Sequence, residues 1–248
     1  MLAKLGPFVK KFLEPDERVL YAAPAVAPMN ALEQFLKGWH VYYLKACALV
    51  FTSKRILYVP TDTGGKPRHS LAQMRYGDVA SFSLKGLLSA AFALTYASGR
   101  KETFTIQAMG DRKKINSFLP KLVPGGEGTD RRDRHFLCPR CAKPLVKDHY
   151  TCPSCRMAFK TPSQAVKFAL LVPGGGFFQT GHFWFGVQGA FVDLLEIVLF
   201  LAAIDEVRRG SPEAGSVIFA FLLILVANKL AAVQHVKFHV AQYIPVEK

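Results

Sequence analysis

The four cysteines between residues 138 and 155 are the residues of this sequence with the clearest chemistry. They form two pairs of the same pattern, Cys-Pro-Arg-Cys and Cys-Pro-Ser-Cys, separated by ten residues. Each pair folds into a tight knuckle that presents two sulfurs, and four thiolates are the ligands that one tetrahedral Zn²⁺ ion requires. The sequence therefore predicts a Zn²⁺ site, with Cys138, Cys141, Cys152 and Cys155 as its ligands.

A site closed by four thiolates is typical of structural zinc, because it leaves no coordination position for a substrate. The ten intervening residues suit two short strands and a turn, and residues 137–160 resemble the zinc-ribbon families in all four ligand positions. A redox dithiol and free buried cysteines are the alternatives, but a redox centre needs only one pair and no βαβ pattern surrounds these. Cys47 is the only other cysteine, so no disulfide framework is available and the composition favours a reducing compartment.

The positive charge is confined to the first two thirds of the chain. Lys and Arg outnumber Asp and Glu by 26 to 12 through Pro162, and they are equal at 6 to 6 afterwards, which accounts for the net charge of +14. Long apolar runs begin where the charge ends. We expect a protein held at a membrane with its positive part facing anionic headgroups, and nucleic acid is the alternative partner for such a charge.

Several cations are candidates for phosphate contact. Two pairs lie at predicted hairpin tips, and three arginines immediately precede the cysteines. A solvated turn is the simpler interpretation of such charges, and no alternation of basic and aromatic residues supports the stacking of bases. The candidates are Lys54, Arg55, Arg100, Lys101, Arg131, Arg132 and Arg134.

Residues 14–123 have the pattern of a β-rich domain that ends in one amphipathic helix. We expect Asp111 to cap this helix and Pro120 to end or kink it. Before the domain, apolar residues from Leu2 to Leu13 recur at near-helical spacing, which fits either a membrane-surface helix or a helix packed on the domain. Strands are predicted over 18–26, 45–52, 56–61, 75–84, 92–97 and 102–107.

This order of elements, together with the segment ALVFTSKRILYV from Ala48 to Val59, resembles the bacterial PH-like and GRAM families. The segments YGDVASFSL and SGRKETFTI add to the resemblance, which implies a PH-like barrel that binds phospholipid headgroups, peptides or partner proteins. In these families the positions of Thr52 and Arg55 are structural. A Trp- and Tyr-containing insert from Ala31 to Tyr43 departs from the pattern, and its role is open.

After a linker at 124–136 and the ribbon, residues 163–240 have the composition of a helical membrane domain. Two 22-residue apolar stretches, 183–204 and 215–236, are long enough to cross a bilayer, whereas Ala165 to Val172 is too short. The segment GGGFFQTGHFWFG resembles a small two-span membrane family through Gly181, His182, Phe183, Phe185 and Gly186. A buried helical hairpin in a soluble protein is the alternative, since charges inside a membrane are costly.

Two of these charges, on Asp193 and Lys229, lie at matching depths in the predicted hairpin. If the turn is at Gly210 and Ser211, Asp193 is 17 residues before it and Lys229 is 18 after it. An opposite pair shares the cost of desolvation, so we expect the two side chains to pair, with Glu196 as a second candidate partner for the lysine and an ion path as the less favoured role.

No catalytic motif is present: the chain has no HExxH, no P-loop lysine after its glycines, and histidines that are scattered along the sequence. We therefore expect a non-enzymatic binding or scaffold protein of the cytoplasmic membrane, with both termini cytoplasmic and a protein partner. A zinc-ribbon nucleic-acid-binding module and a small transport or lipid-handling protein are the alternatives.

Overall fold

The computed structural model describes residues 1–29, 33–35, 38–68, 70–86, 89–106, 108–122, 134–210 and 214–246, without the side chains of Leu2 and Ala214. The chain forms two compact units, Met1–Ala158 and Phe159–Lys248. The predicted multi-domain architecture is confirmed in outline: an antiparallel sheet comes first, then the cysteine cluster, then two long apolar helices.

The first unit is built on an eight-stranded antiparallel sheet in which β8 forms one edge. Its strands, in spatial order, are β5, β6, β7, β1, β2, β3, β4 and β8. Their bounds are β1 Val19–Val26, β2 Ala46–Thr52, β3 Arg55–Pro60, β4 Leu71–Arg75, β5 Val79–Lys85, β6 Ala90–Tyr96, β7 Lys101–Ile106 and β8 His135–Leu137.

Strands β2 and β3 are covered on both faces, which explains why they are continuous apolar runs rather than alternating ones. One face packs against helix α1 (Leu2–Val9) and the 3-10 turn Lys10–Phe12, which bury Leu5, Val9 and Phe12. On the other face the sheet curves back, so that the ring of Phe51 in β2 lies 5.4 Å from that of Phe92 in β6. Of the two predictions for the N-terminal helix, packing on the sheet is therefore the one confirmed.

Two local predictions in this unit are wrong. The predicted strand 75–84 is divided, because a 3-10 turn at Tyr76–Asp78 separates β4 from β5. Helix α3 (Met109–Phe118) begins before Asp111, which lies in the first turn and accepts a hydrogen bond from the hydroxyl of Tyr21 instead of capping the helix. The helix ends before Pro120, as predicted.

The described part of the insert is anchored rather than loose. Helix α2 (His40–Leu44) buries Val41 and Leu44, and a buried ion pair joins Glu33 to Lys45. Trp39, just before this helix, and Tyr43 within it are 78% and 50% exposed.

The second unit is helical. Helices α4 (Pro162–Leu171) and α5 (Gly175–Gln179) are short, and α6 (Phe183–Arg208) and α7 (Ala214–Val240) are long. Ten residues of α4 rise only about 15 Å, so this helix cannot cross a bilayer core of about 30 Å. Among the described residues, α6 and α7 are the two helices long and apolar enough to do so.

Candidate metal centre and polar sites of the apolar helices

The four predicted metal ligands lie in one cluster, with their sulfur atoms within 4.8 Å of one another. The Sγ atoms are 3.5 Å apart between Cys138 and Cys155 and 3.6 Å apart between Cys141 and Cys152, and none of the four is in a disulfide. A tetrahedral ion with metal–sulfur bonds of about 2.3 Å separates its sulfurs by about 3.8 Å. The cluster therefore has the donors and the dimensions to bind one such metal ion.

Two knuckles of the same local structure hold the sulfurs in place. In each, the residue after the second cysteine has a φ of +57° and donates its N–H to the carbonyl of the first cysteine, at 2.9 Å from Ala142 and 3.0 Å from Arg156. The N–H of the first cysteine donates in turn to the carbonyl five residues later, at 2.9 Å in both knuckles. In place of the two predicted short strands, one isolated β-bridge flanks each knuckle, Leu137 with Pro144 and Thr151 with Ala158.

The thiols differ in acidity. Burial raises the pKa of Cys138 to about 12 and also raises that of Cys141. Burial acts the same way on Cys152, but hydrogen bonds from the backbone N–H groups of Cys155 and Ser154 and from the neighbouring thiols together outweigh it and lower that pKa to about 7. Cys47 lies in β2 outside the cluster, where burial raises its pKa and keeps the thiol neutral.

The first knuckle is fixed directly to the sheet. Strand β8 ends one residue before Cys138, and it pairs with β4 through Leu71 opposite Leu137 and Gln73 opposite His135. Residues 135 and 136, which lie within the predicted linker, are thus part of the sheet. Strand β8, which leads into this knuckle, covers the edge of β4 that would otherwise be open to pairing.

Arg55, a candidate for phosphate contact, is occupied inside the protein. Its side chain is 4% exposed, and its guanidinium donates to both carboxylate oxygens of Glu17, at 3.0 and 2.8 Å, and to the carbonyl of Phe12 at 2.7 Å. The hydroxyl of Thr52 contacts the same carboxylate at 2.6 Å and the carbonyl of Arg55 at 2.7 Å. These two residues therefore hold the β2–β3 turn to the N-terminal segment, and the guanidinium is not offered to an external phosphate.

Arg134 is also mostly enclosed, with its side chain 12% exposed. Its guanidinium lies 4.4 Å from the ring centre of Tyr58, as in a cation–π contact, and 3.9 Å from the carboxylate of Glu102. Burial opposes its charge, but Glu102, Tyr58, Tyr96 and Cys47 together outweigh burial and raise the pKa of Arg134. Its guanidinium is therefore engaged by Tyr58 and Glu102 inside the protein.

The remaining candidates are not brought together. Lys54, Arg100 and Lys101 are exposed, with Lys54 Nζ 2.7 Å from the carbonyl of Pro15 and Arg100 3.2 Å from Glu102. The β2–β3 turn, which carries Lys54, lies beside the Val19 end of β1. Strand β7 pairs with the opposite end of β1, at Val26, and its Lys101 end extends away from the β2–β3 turn. Arg131 and Arg132 lie outside the described residues.

The three charged side chains within the apolar stretches of the two long helices, Asp193, Glu196 and Lys229, have partners. Lys229 Nζ lies 2.8 Å from Asp193 Oδ2, which also accepts the backbone N–H of Gly174 at 2.9 Å. Glu196 accepts a hydrogen bond from the side-chain amide of Asn228, a residue that sequence reasoning missed. Asn228 was missed because amides carry no charge, although it directly precedes the lysine.

Three histidines, which the sequence analysis treated as scattered, form a buried cluster in the second unit. They are His182, just before α6, and His235 and His239 of α7, and one nitrogen of each ring lies within 4.8 Å of those of the others. The spacing of four between His235 and His239 places both on one helical face, which is the signal that was available in the sequence. Only the folded chain brings His182 to them.

Comparison with known proteins identifies one part of the chain. Residues 13–122 match the family model described as the bacterial PH domain. Neither the curated proteins nor the solved structures include a significant match to the chain. Residues 13–122 of the first unit are therefore similar to the bacterial PH domain, and the resemblances to the GRAM and two-span families stay predictions.

Proposed function

We propose that this protein, whose residues 13–122 are similar to the bacterial PH domain, is an integral membrane protein that binds or scaffolds a partner at the cytoplasmic face. In this proposal α6 and α7 anchor the chain, the PH domain provides the binding surface, and the cysteine cluster holds a structural Zn²⁺ ion. The role is binding rather than catalysis.

The observation that carries the proposal is the outward apolar surface of α6 and α7. Large side chains along both helices are exposed, among them Trp184 (77%), Phe191 (68%) and Phe219 (63%). A helical hairpin in the core of a soluble protein would bury such residues, because each exposed apolar Å² costs about 25 cal/mol in water. The hydrocarbon core of a bilayer around these side chains removes this cost.

The charge distribution supports the cytoplasmic side. The excess of Lys and Arg lies in the part of the chain before α4, and an anionic inner leaflet attracts such charges at about 1 kcal/mol each near the surface. Zinc suits this side too, because a reducing compartment keeps the four cysteines out of disulfides and able to bind metal.

Membrane fractionation tests the proposal. We expect the full-length protein to stay in the membrane pellet after washes with high salt and with alkaline carbonate, and to be released by detergent. Val198→Arg/Leu201→Arg, which places two charges on the exposed face of α6, should weaken retention, because each arginine costs about 2.5–3.5 kcal/mol at the centre of a spanning helix. Glu206→Arg, near the end of the same helix, is the matched control and should not. Release of the unaltered protein by salt alone would disprove membrane integration.

A further inference from the structure

The histidine cluster described above is built from two segments of the second unit, the residue just before α6 and the last turns of α7. The side chains of His182, His235 and His239 are 4%, 1% and 7% exposed. Their ring centres are 4.3 Å apart between His235 and His239, 4.8 Å between His182 and His239, and 5.0 Å between His182 and His235. The three imidazoles are therefore in mutual contact and shielded from water.

The hydroxyl of Thr180 orients two of the three rings. Its oxygen lies 2.8 Å from His182 Nδ1 and 2.8 Å from His235 Nε2, and 3.1 and 3.0 Å from the carbonyl oxygens of Gly176 and Phe177. A hydroxyl has one proton to donate. If that proton goes to a carbonyl, both imidazoles donate to the hydroxyl oxygen, which fixes the tautomer of each ring.

This is the arrangement of metal-binding histidines, whose second ring nitrogen donates a hydrogen bond that fixes the tautomer. We propose that His182, His235 and His239 bind one divalent transition-metal ion, of the class to which Zn²⁺ belongs, with Thr180 positioning two of the ligands. Neutral imidazole is a good ligand for zinc and its neighbours in the first transition row. The donors differ from those of the thiolate cluster, so the two sites are chemically separate.

The dimensions permit such a site. Metal–nitrogen bonds of about 2.1 Å in a tetrahedron separate the nitrogens by about 3.4 Å, so the present spread of up to 4.8 Å closes by small rotations of the side chains. Three protein ligands leave a fourth position for water or an anion. The ion would also tie the start of α6 to the end of α7, at the end of the hairpin opposite the turn between them.

Cobalt, which absorbs visible light in a tetrahedral site, separates the two centres. We would produce the full-length protein in zinc-depleted medium containing Co²⁺, purify it in detergent, and measure metal per chain and the absorption spectrum. Thiolate-to-metal charge-transfer bands report the cysteine cluster, whereas an imidazole site gives visible bands without them. We expect two metal ions per chain in the unaltered protein and in His40→Gln, which changes an exposed histidine of the first unit.

The variant His235→Ala/His239→Ala should lose one ion and keep the thiolate bands. Thr180→Val keeps all three imidazoles, and removal of the positioning hydroxyl should weaken Co²⁺ binding at this site by about 10–100-fold. One ion per chain in the unaltered protein, with all visible absorption accompanied by thiolate bands, would overturn the proposal and leave a histidine–threonine hydrogen-bond network. The metal content and spectrum of the unaltered protein test the histidine site even if the histidine variants do not fold. They do not depend on whether the PH domain binds a partner.

Discussion

Lys229 Nζ lies 2.8 Å from Asp193 Oδ2, so the two opposite charges of the apolar hairpin meet across α6 and α7. The same carboxylate oxygen accepts the N–H of Gly174, which joins the turn before α5 to both long helices. In a medium of low dielectric constant, a lone charge is costly and a hydrogen-bonded pair much less so. The pair therefore specifies how these helices align.

The first prediction concerns this pair. Asp193→Lys should destabilise the protein by about 3–5 kcal/mol, because two like charges then lie in the hairpin, and adding Lys229→Asp should recover part of the loss. Recovery should be partial, since a lysine at position 193 cannot accept the N–H of Gly174. Thermal unfolding in detergent measures both, with Arg209→Ala as control, because its partner Asp205 is exposed and such pairs are worth under about 1 kcal/mol. A double variant no more stable than Asp193→Lys would contradict the pairing.

The second prediction concerns Gly174. Its φ is +65°, and a Cβ there would lie 2.0 Å from the carbonyl oxygen of Gly186, so Gly174→Ala should reduce the yield of folded protein in detergent. Gly210→Ala is the matched control, because Gly210 has a φ of +81° with open space around it. Equal losses for the two variants would show that backbone conformation alone matters and that the close approach to α6 does not.

The third prediction concerns acid stability. Burial raises the pKa of Glu17, but hydrogen bonds from Arg55 and its neighbours outweigh burial and hold the pKa below its ordinary value of 4.5. A lowered folded-state pKa contributes stability above pH 4.5 that is lost as the pH falls through the folded value. Glu17→Gln should therefore make the first unit less stable at pH 7, by about 3 kcal/mol, and less sensitive to acid.

Hydrogen exchange of the β3 amides in the full-length protein, corrected for the intrinsic effect of pH, measures this stability. Glu14→Gln is the control, since the Glu14 side chain is 33% exposed and its loss should cost under about 1 kcal/mol. Equal acid sensitivity of Glu17→Gln and the unaltered protein would assign the effect to another group.

The fourth prediction concerns zinc. Cys138→Ser should lower the zinc content by one ion per chain, whereas Cys47→Ser should not change it. Since Cys138, with a pKa of about 12, and Cys141 are protonated near neutral pH, binding must release their protons and the affinity should rise with pH. Elemental analysis measures the zinc content per chain, and an indicator dye measures the protons released when zinc binds. Full zinc content in Cys138→Ser would exclude the thiolate site.

The fifth prediction concerns topology. With both termini cytoplasmic, Ser211→Cys should react with an impermeant maleimide added to intact cells, while Lys248→Cys should react only after the cells are opened. The reason is that Lys160, Lys167 and the basic region before them outweigh Arg208 and Arg209 of the turn. An unlabelled residue 211 with a labelled C-terminus would reverse the orientation.

The sequence by itself determined the features that depend on local pattern. The spacing of Cys138, Cys141, Cys152 and Cys155 is enough to specify two knuckles, and uninterrupted apolar composition is enough to specify α6 and α7, because neither depends on distant residues. The same holds for the β-rich pattern of residues 14–123, most of which the PH family model matches.

Only the tertiary structure decided which polar residues face inward and which of them meet. Arg55 and Arg134 have the same formal charge as the exposed Lys54, and nothing in their immediate sequence shows that Glu17 and Tyr58 will enclose them. Likewise His182 is 53 residues from His235, and Asp193 is 36 from Lys229. The desolvation and pairing energies of such groups depend on the distances between side chains far apart in the chain, which are set when the sheet and the helices pack.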